Sequence, residues 1–391
     1  MISVNKAIEY IKKNTICLPP ITIELKNAVG YILSEDVVSE INFPPFRQSA
    51  MDGYAVGSTN HQSFKVINEI KAGDNGKSIH LKNDEAVRIF TGACVPDSAE
   101  AVVMQEMVHR NKDAILIEQP IESLQNIRSI GEQVKAGDVA LKKGTELNPG
   151  AIGYLASLGI TRVNVYRKPK VEMIVTGNEL AQPGTPLQMG QIYESNSLAI
   201  KSLLHQCGFE MTTQIVKDDL ESTKKSISRS LANNDLVILS GGISVGDYDF
   251  VSSALKELNV TTVFYKIQQK PGKPILFGKK NHKLVFALPG NPAATLTCAY
   301  MYLLPVLNML QGKPNPFLEK QTVKLSSTYI KKKGLAHLLK GRINNGYAEV
   351  LPNQSSAMLS SFASANALLI IEADTEHLSE GEFVEAIMLQ R

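Results

Sequence analysis

The chain has 391 residues, which is too long for one ordinary hydrophobic core, so two to four domains are expected. Its apolar content of 43% and charged content of 20% are those of an ordinary globular protein, and a net charge of +3 gives no electrostatic argument for nucleic acid as a partner. The four cysteines have no C-x-x-C spacing, which favours reduced thiols in a cytoplasmic protein over a disulfide framework or a metal site.

The first 168 residues are predicted to contain one domain inserted into another. Residues 3–13 have the apolar spacing of an amphipathic helix, and a turn-rich loop is predicted at 43–56. Short β runs separated by Gly and Asp follow at 64–67, 86–90, 101–104 and 114–117, and a helix is predicted at 149–158. We therefore expect a discontinuous domain (1–45 and 140–168) around an inserted β-rich domain (46–139).

From Pro169 onward, β-branched strands alternate with helices at the spacing of a three-layer α/β domain with a mostly parallel sheet. The predicted strands are 171–175, 212–216, 236–239, 260–264 and 284–287, and the predicted helices are 196–207, 219–232, 249–258 and 292–310. In the last helix Pro292 fits the first turn and Pro305 should cause a kink. Its most apolar part, 299–310, is shorter than a bilayer span, and the N-terminus lacks a signal-peptide core, so no membrane is expected.

After Pro316 the helices stop. Hairpin patterns with turns at 344–346 and 379–381 predict a small C-terminal β-barrel of about 70 residues. The predicted fold class is therefore α/β and multidomain: a central three-layer α/β domain (169–315), an inserted β-rich domain and a C-terminal β-barrel (316–391).

The run LVIL (236–239) opens onto SGGISVG (240–246), a strand followed by glycines whose exposed N–H groups can cradle a phosphate or another oxyanion. TGNEL (176–180) and PGNP (289–292) follow two other predicted strands. Each segment alone would be read as an ordinary βα turn. Because the carboxyl ends of parallel strands meet at one sheet edge, the three together predict a ligand site there.

Charged residues near this edge suggest phosphate chemistry. Four aspartates are candidate Mg²⁺ ligands, although capping of the following helices is a simpler role for Asp219 or Asp249 alone: Asp218, Asp219, Asp247 and Asp249. Three lysines could neutralise charge at a phosphoryl centre: Lys266, Lys270 and Lys273. The chain has neither a Walker A pattern nor G-x-G-x-x-G, which disfavours a mononucleotide kinase and a dinucleotide dehydrogenase. The seven histidines have no zinc-site spacing.

The segment SAMDGYAV (49–56) is more apolar than a free surface loop should be. It either packs on its own domain or is buried against a partner, and the residues leave both possibilities open. The hydroxyl and glycine of FTGA (90–93) pose the same question, with a strand-end turn as the alternative.

Taken together, the motifs resemble those of the molybdopterin molybdenumtransferase (MoeA) family, to which the C-terminal E domain of gephyrin is related. The matching segments run in order through most of the chain: PPFRQSAMDGYA (44–55), RIFTGACVP (88–96), VVMQE (102–106), IRSIGE (127–132), PKVEMIVTGNEL (169–180), GQIYESN (190–196), SGGISVG (240–246), KPGKP (270–274) and LPGNP (288–292). The match is looser over the last 75 residues or so.

The resemblance implies an elongated, four-part subunit that forms a homodimer, with residues 1–45 and 140–168 as a linker and dimerisation domain. The active site would lie in a cleft between subunits, with the molybdopterin-binding α/β domain on one side. The Asp52 and Thr91 loops and the C-terminal barrel of the second subunit would lie on the other. The implied reaction inserts molybdate into adenylylated molybdopterin with Mg²⁺-dependent release of AMP, giving the molybdenum cofactor. A transient contact with a molybdopterin adenylyltransferase is also implied.

The positions that match the family's functional residues are Asp52, Thr91, Glu179, Asp218, Asp249, Lys266 and Lys270. From these and from the strand-end segments we infer the following roles. The catalytic residues would be Asp52, Glu179, Asp249, Lys266 and Lys270, and the Mg²⁺ ligands Asp249 and Asp218. The substrate-binding residues would be Thr91, Ser240, Gly241, Gly242, Ser244, Lys273, Pro289, Gly290, Asn291, Pro292, Lys340 and Ser356.

The C-terminal part departs from the family pattern at two places. Lys340 precedes Gly341 where the family usually has an arginine, so a planar fork for an oxyanion becomes a point charge. Ser355 and Ser356 stand where a Gly-Ser pair is typical.

Two other functions remain open. A molybdopterin adenylyltransferase would use a similar α/β domain, but it would not account for SAMDGYA or the other domains. A non-catalytic, gephyrin-like scaffold could retain the acidic residues and lysines, and only an assay separates it from an enzyme.

Overall fold

The structure of the chain is a computed structural model that describes residues 1–241 and 250–389. The chain divides into two compact units. Unit 1 comprises Met1–Ile21, Gly30–Ser34 and Val165–Arg391, and unit 2 comprises Thr22–Val29 and Glu35–Asn164. The finer division into four domains stays a prediction.

Short strands dominate the first 166 residues. In chain order the elements are helix α1 (Val4–Asn14), strands β1 (Pro20–Glu24), β2 (Ile32–Leu33), β3 (Val37–Val38), β4 (Gln48–Ser49), β5 (Gly53–Val56), β6 (Ser63–Ile70), β7 (Glu85–Ile89), β8 (Ala101–Met104), β9 (His109–Asn111), β10 (Ala114–Leu116), β11 (Ile127–Arg128) and β12 (Val139–Leu141), helix α2 (Pro149–Ser157) and strand β13 (Arg162–Tyr166). Single 3₁₀ turns occur at Leu25–Asn27, Gly76–Ser78 and Gln105–Met107.

Helices and strands then alternate before a final run of strands. The elements are β14 (Val171–Thr176), β15 (Leu180–Ala181), β16 (Ile192–Tyr193), α3 (Asn196–Gln206), β17 (Met211–Val216), α4 (Leu220–Asn233), β18 (Leu236–Ser240), α5 (Phe250–Glu257), β19 (Thr261–Tyr265), β20 (Gln269–Lys270), β21 (Leu276–Lys280), β22 (Lys283–Leu288), α6 (Pro292–Cys298), a π-helical segment (Ala299–Leu303), α7 (Leu304–Leu310), β23 (Lys320–Leu325), β24 (Tyr329–Ile330), β25 (Ala336–Asn344), β26 (Tyr347–Val350), β27 (Ala367–Ile371), β28 (His377–Leu378) and β29 (Phe383–Met388).

Unit 2 contains a six-stranded sheet in the order β8-β5-β7-β6-β10-β9, which confirms the predicted β runs. The prediction of a loop throughout 43–56 was wrong. Strand β5 pairs with both β7 and β8, and all four of its residues are buried. The apolar character of this segment is therefore explained by packing inside its own unit, because an internal strand buries both of its faces.

Unit 1 is built on a six-stranded sheet in the order β17-β14-β18-β22-β21-β19. Strands β17, β14, β18 and β22 are parallel to one another, as predicted, whereas β21 is antiparallel to both of its neighbours, β22 and β19. Strand β21 was missed because its sequence, LFGKK, lacks the β-branched signature of the other strands.

Alternate residues of the parallel strands enter two separate cores. On β18, Leu236 and Ile238 join a core that includes residues of α1 and α3, while Val237 and Leu239 join a second core with residues of α4 and α5. Because successive side chains of a strand point to opposite faces, this division shows helices on both sides of the sheet. The three-layer prediction is confirmed.

The helical stretch from Pro292 to Leu310 runs for 19 residues without a break. The expectation took in only the most apolar part, 299–310, whereas the whole helix is long and apolar enough to cross a membrane. Of its 18-residue apolar window, 78% is buried inside the protein, as in a core helix. Pro305 is accommodated directly after the π-helical segment Ala299–Leu303, where the helix is wider.

The C-terminal strands close a five-stranded barrel in the order β25-β26-β23-β29-β27, since β27 pairs back to β25. The predicted turn between β25 and β26 is present, with Asn345 and Gly346 both at positive φ (49° and 80°). This is the backbone that a tight hairpin requires and that Asn-Gly readily adopts. The barrel is confirmed.

An ion pair between the half-buried Arg167 and the buried Asp235 anchors the start of β18. Both guanidinium nitrogens of Arg167 donate to Asp235, at 2.6 and 2.9 Å, and the backbone N–H of Lys170 donates to the same carboxylate at 2.9 Å. Burial alone would raise the pKa of Asp235, but these hydrogen bonds and the charges of Arg167 and Lys283 outweigh it and lower the pKa below its ordinary value.

We expect Asp235→Ala to lower the free energy of unfolding by about 3 kcal/mol, because it leaves Arg167 and the N–H of Lys170 without their shared acceptor. In the wild type, the stabilisation from Asp235 is present above the ordinary aspartate pKa and is lost as the pH falls through the lowered pKa. Urea unfolding at several pH values measures both effects. Equal stability of wild type and variant at neutral pH would contradict this assignment.

Candidate active site

Three segments predicted to share a sheet edge do so. TGNEL, Ser240-Gly241 and PGNP lie at or directly after the ends of β14, β18 and β22, which are neighbouring parallel strands. The three segments contribute to the lining of a cleft of about 630 Å³. The residues that line it include Thr176, Glu179, Asn196, Ser240, Gly241, Pro274, Pro289, Gly290, Asn291 and Pro292. Six predicted substrate-binding residues therefore lie in the same cleft as the predicted catalytic residue Glu179: Ser240, Gly241, Pro289, Gly290, Asn291 and Pro292.

The backbone at the end of β18 approaches its neighbour closely. Gly241 has φ +96°, and a Cβ there would lie 2.3 Å from the carbonyl oxygen of Thr176. Only glycine fits such a position, so the main chain itself forms this wall of the cleft. Gly242, Ser244, Asp247 and Asp249, which were predicted from the same segment, lie outside the described residues.

Asn196 is a cleft residue that the sequence reasoning did not select. Its Nδ2 donates to Ser240 Oγ at 3.1 Å and to the carbonyl oxygen of Gly290 at 2.9 Å, so it joins two of the strand-end loops. Glu194 accepts hydrogen bonds from the N–H and hydroxyl of Ser197 and caps the start of α3. The segment GQIYESN carried this signal, but only as part of the family resemblance.

Two carboxylates, Glu179 and Asp218, follow the neighbouring strands β14 and β17. Burial raises the pKa of Asp218, and the negative charges of Glu179 and Asp219 raise it further. Asp219 itself caps α4 by accepting from the N–H of Ser222 at 2.8 Å, so the simpler explanation weighed for it is confirmed. Within residues 1–241 and 250–389, no group of three or more His, Cys, Asp and Glu side chains is placed to hold a metal ion.

The three predicted lysines follow β19 and lie at or near the loop 270–274. Lys266 lies with its ammonium 4.8 Å from the ring centroid of Tyr265, and its backbone has φ +66°. Lys270 and Lys273 are exposed, and Pro274 at the end of the same loop lines the cleft. The loop therefore lies beside the cleft through Pro274, whereas the described cleft lining includes none of the three lysines.

The structure gives Lys340 a different environment from the one expected of an oxyanion ligand. Its side chain is 2% exposed, and its ammonium donates to the carbonyl oxygens of Asn353, Ser355 and Met358 at 2.6, 3.4 and 3.0 Å. All three donors of the ammonium are engaged in this way, and burial lowers its pKa. Lys340 therefore holds the backbone of 353–358.

Ser356, in that same segment, contacts the start of helix α6. Its hydroxyl accepts from Asn291 Nδ2 at 3.0 Å, and its carbonyl oxygen accepts from the N–H of Ala294 at 3.0 Å. The segment that Lys340 holds therefore contacts Asn291, which lines the cleft.

In unit 2, Asp52 and Thr91 are in direct contact. Asp52 Oδ1 accepts from the N–H and the hydroxyl of Thr91, at 2.7 and 2.8 Å. These two bonds, together with the charge of Arg88, lower the pKa of the exposed Asp52 carboxyl. Arg88 also donates to the carbonyl oxygen of Gly53 at 3.0 Å and lies over the ring of Phe90, which steadies both loops.

Comparison with known proteins agrees with this architecture. Three family models match consecutive parts of the chain: the MoeA N-terminal region (domains I and II) at residues 2–159, the probable molybdopterin-binding domain at 172–309 and the MoeA C-terminal region (domain IV) at 322–389. The molybdopterin molybdenumtransferase of Staphylococcus epidermidis is 34% identical over 100% of this chain and 96% of its own length. The chain belongs to the molybdopterin molybdenumtransferase family.

Other members of the family are similarly close. The molybdopterin molybdenumtransferase of Haemophilus influenzae is 38% identical over 93% of this chain and 92% of its own. The crystal structure of the molybdopterin biosynthesis MoeA protein from Pyrococcus horikoshii OT3 superposes with a TM-score of 0.85, at 30% identity and full coverage of both chains. This molybdenumtransferase homologue is thus a member of a family of transferases in molybdenum cofactor biosynthesis.

For this molybdenumtransferase homologue, we expect Glu179→Gln to lower the pKa of Asp218, because the substitution removes a neighbouring negative charge. Carboxyl chemical shifts followed by NMR during a pH titration measure the change.

Glu210→Gln is the matched control, because Glu210 precedes β17 at the opposite edge of the sheet. An Asp218 pKa that responds equally to both substitutions would show that Glu179 is not its close neighbour.

Proposed function

We propose that this protein inserts molybdate into adenylylated molybdopterin with Mg²⁺-dependent release of AMP, giving the molybdenum cofactor. The observation that carries the proposal is the acidic pair Glu179 and Asp218 beside a glycine-lined sheet edge. Glu179 lines the same cleft as Ser240 and Gly241, and it is near enough to Asp218 to raise its pKa. An edge that combines main-chain donors with paired carboxylates suits a metal-bound diphosphate.

The main chain of the cleft suits phosphate and molybdate alike. Both are tetrahedral oxyanions, which bind to backbone N–H groups and to the positive end of a helix dipole. The helix that begins at Pro292 starts in the cleft. Ser240 and Gly241, with Gly242 and Ser244 from the sequence, would hold a phosphate or the pterin tail.

Glu179 and Asp218, with Asp249 from the sequence, are the residues that would hold Mg²⁺. Two carboxylates fit this ion, which keeps water or phosphate oxygens for its remaining positions. The causes of the raised Asp218 pKa are burial and two negative charges, which a bound cation would offset. Bound there, Mg²⁺ would offset the charge of the pyrophosphate.

Three lysines would supply positive charge in addition to that of Mg²⁺. Cleavage of the pyrophosphate link leaves additional negative charge on AMP and on the molybdopterin phosphate. Lys266, Lys270 and Lys273 would stabilise that charge as it develops, and pre-positioned cations are most effective in this role.

We further propose that the protein acts as a homodimer in the cytoplasm, with Asp52 and Thr91 of one subunit completing the site of the other. The low pKa of Asp52 keeps this carboxylate ionised, as a group that orients a substrate donor or a metal-bound ligand should be. Transient contact with a molybdopterin adenylyltransferase would deliver the adenylylated substrate.

The family models at 2–159 and 322–389 favour this function over that of an adenylyltransferase, because they cover parts of the chain outside the α/β domain. A scaffold role would require none of the chemistry above, so an assay of AMP release distinguishes it.

The direct test follows AMP release from adenylylated molybdopterin in the presence of molybdate and Mg²⁺. We expect Asp218→Asn to reduce the rate by about 100-fold, as is common when a metal site loses a supporting group. Asp219→Asn is the matched control, since asparagine also caps a helix and activity should be retained. Equal rates for both variants would remove the proposed metal role, and no AMP release by the wild type would refute the function.

The shared site is tested by mixing two inactive variants. We expect Asp52→Ala to impair molybdenum insertion more than binding of adenylylated molybdopterin, and Asp249→Asn to abolish AMP release. If each site combines residues of two subunits, co-refolded mixtures of these variants should recover up to about a quarter of wild-type activity, because one intact site forms per mixed dimer. No recovery, with mixed dimers verified by mass spectrometry, would rule out the shared site.

A further inference from the structure

A buried hydrogen-bonded pair lies behind the loop 270–274. Gln269 and Tyr302 are both 0% exposed, and the hydroxyl of Tyr302 donates to Gln269 Oε1. Gln269 Nε2 donates to the carbonyl oxygen of Pro271 at 3.0 Å and lies 3.4 Å from that of Gly272. The side chain of Gln269 therefore connects the core helix to the backbone of the loop.

Hydrogen bonding permits only one orientation of the Gln269 side-chain amide. Pro271 and Gly272 both present carbonyl oxygens, so the amide nitrogen of Gln269 must face the loop and its oxygen must face Tyr302. Burial raises the pKa of Tyr302 well above its ordinary value, which keeps the hydroxyl protonated and able to donate. With every polar atom of the amide satisfied, displacement of the loop would leave buried groups unpaired.

The loop also fits closely against the same helix. Gly272 has φ +84°, and a Cβ there would lie 2.4 Å from Cys298 Sγ and 2.8 Å from Gln269 Nε2. Cys298 and Tyr302 are four residues apart, on one face of the helix. The N–H groups of Ile267 and Ile275 both donate to the carbonyl oxygen of Lys273, at 3.0 and 3.2 Å, and close the loop from its other side.

We propose that Gln269 and Tyr302 are positioning residues that hold the loop 270–274 so that Lys270 and Lys273 are directed to the reacting phosphate. The loop ends at Pro274, which lines the cleft, and the helix that carries Tyr302 begins at Pro292 in the same cleft. The π-helical segment Ala299–Leu303 contains Tyr302, and such segments are frequent near functional sites. The inference rests on the proposed function, in which these lysines stabilise the charge of departing AMP.

The first test measures the loop itself, independently of activity. Tyr302→Phe removes one hydroxyl and leaves Gln269 Oε1 without its donor. Hydrogen–deuterium exchange at the amides of Ile267 and Ile275 should become about 10-fold faster, since an unpaired buried acceptor typically costs this much in an equilibrium. Tyr300→Phe, two residues away on the same helix, is the matched control and should leave exchange unchanged.

Unchanged exchange in Tyr302→Phe would overturn the inference. Should that variant fold poorly, Gln269→Met removes the same link with a side chain of similar volume, and the same amides provide the readout.

The second test connects the loop to the chemistry. Tyr302→Phe should lower kcat for AMP release about 10-fold and change KM less than about twofold, because the lysines act on charge that develops in the transition state. In a Lys273→Ala background, the further effect of Tyr302→Phe should shrink to less than about threefold, since coupled residues are not additive.

A full, additive effect in that background would show that Tyr302 does not act through the loop lysine and would overturn the inference. If the wild type released no AMP, the proposed function would fail, while the exchange measurement would still decide whether Gln269 and Tyr302 hold the loop.

Discussion

Parallel pairing of β14, β18 and β22 is the constraint on which the candidate site depends. Because the three strands run in the same direction, their carboxyl ends meet and the loops that follow them enclose one cleft. The pairing is strongly specified, since alternate residues of each strand fill two different cores and a slip of one residue would exchange them. Burial of apolar side chains on both faces of the sheet thus fixes the positions of the polar loops at its edge.

The helix from Pro292 to Leu310 connects separate parts of this site. Its first residue lines the cleft, the N–H of Ala294 donates to Ser356, and Tyr302 holds Gln269 behind the lysine loop. Its apolar composition, which would suit a membrane, instead serves a core position with 78% burial. One buried element can therefore set the positions of several loops, because each loop satisfies a polar group on it.

Charged residues of both signs are associated with the cleft. Glu179 lines it and raises the pKa of Asp218, and the loop that carries Lys270 and Lys273 ends at Pro274 in its lining. The ammonium of Lys340, by contrast, donates hydrogen bonds to three backbone carbonyl oxygens of its own unit. In this chain, the lysine at that position stabilises a loop, which a compact ammonium with three donors does well.

The sequence by itself determined the α/β alternation, the barrel hairpins and the strand-end segments of the cleft, because each follows from local periodicity and turn chemistry. It also led to the family, through motifs that lie along most of the chain. Only the tertiary structure showed that Gly53–Val56 is an internal strand, that Asn196 joins two loops and that Lys340 is engaged internally. These features depend on contacts between residues far apart in the chain, and a local pattern carries no information about which distant group will satisfy a buried donor.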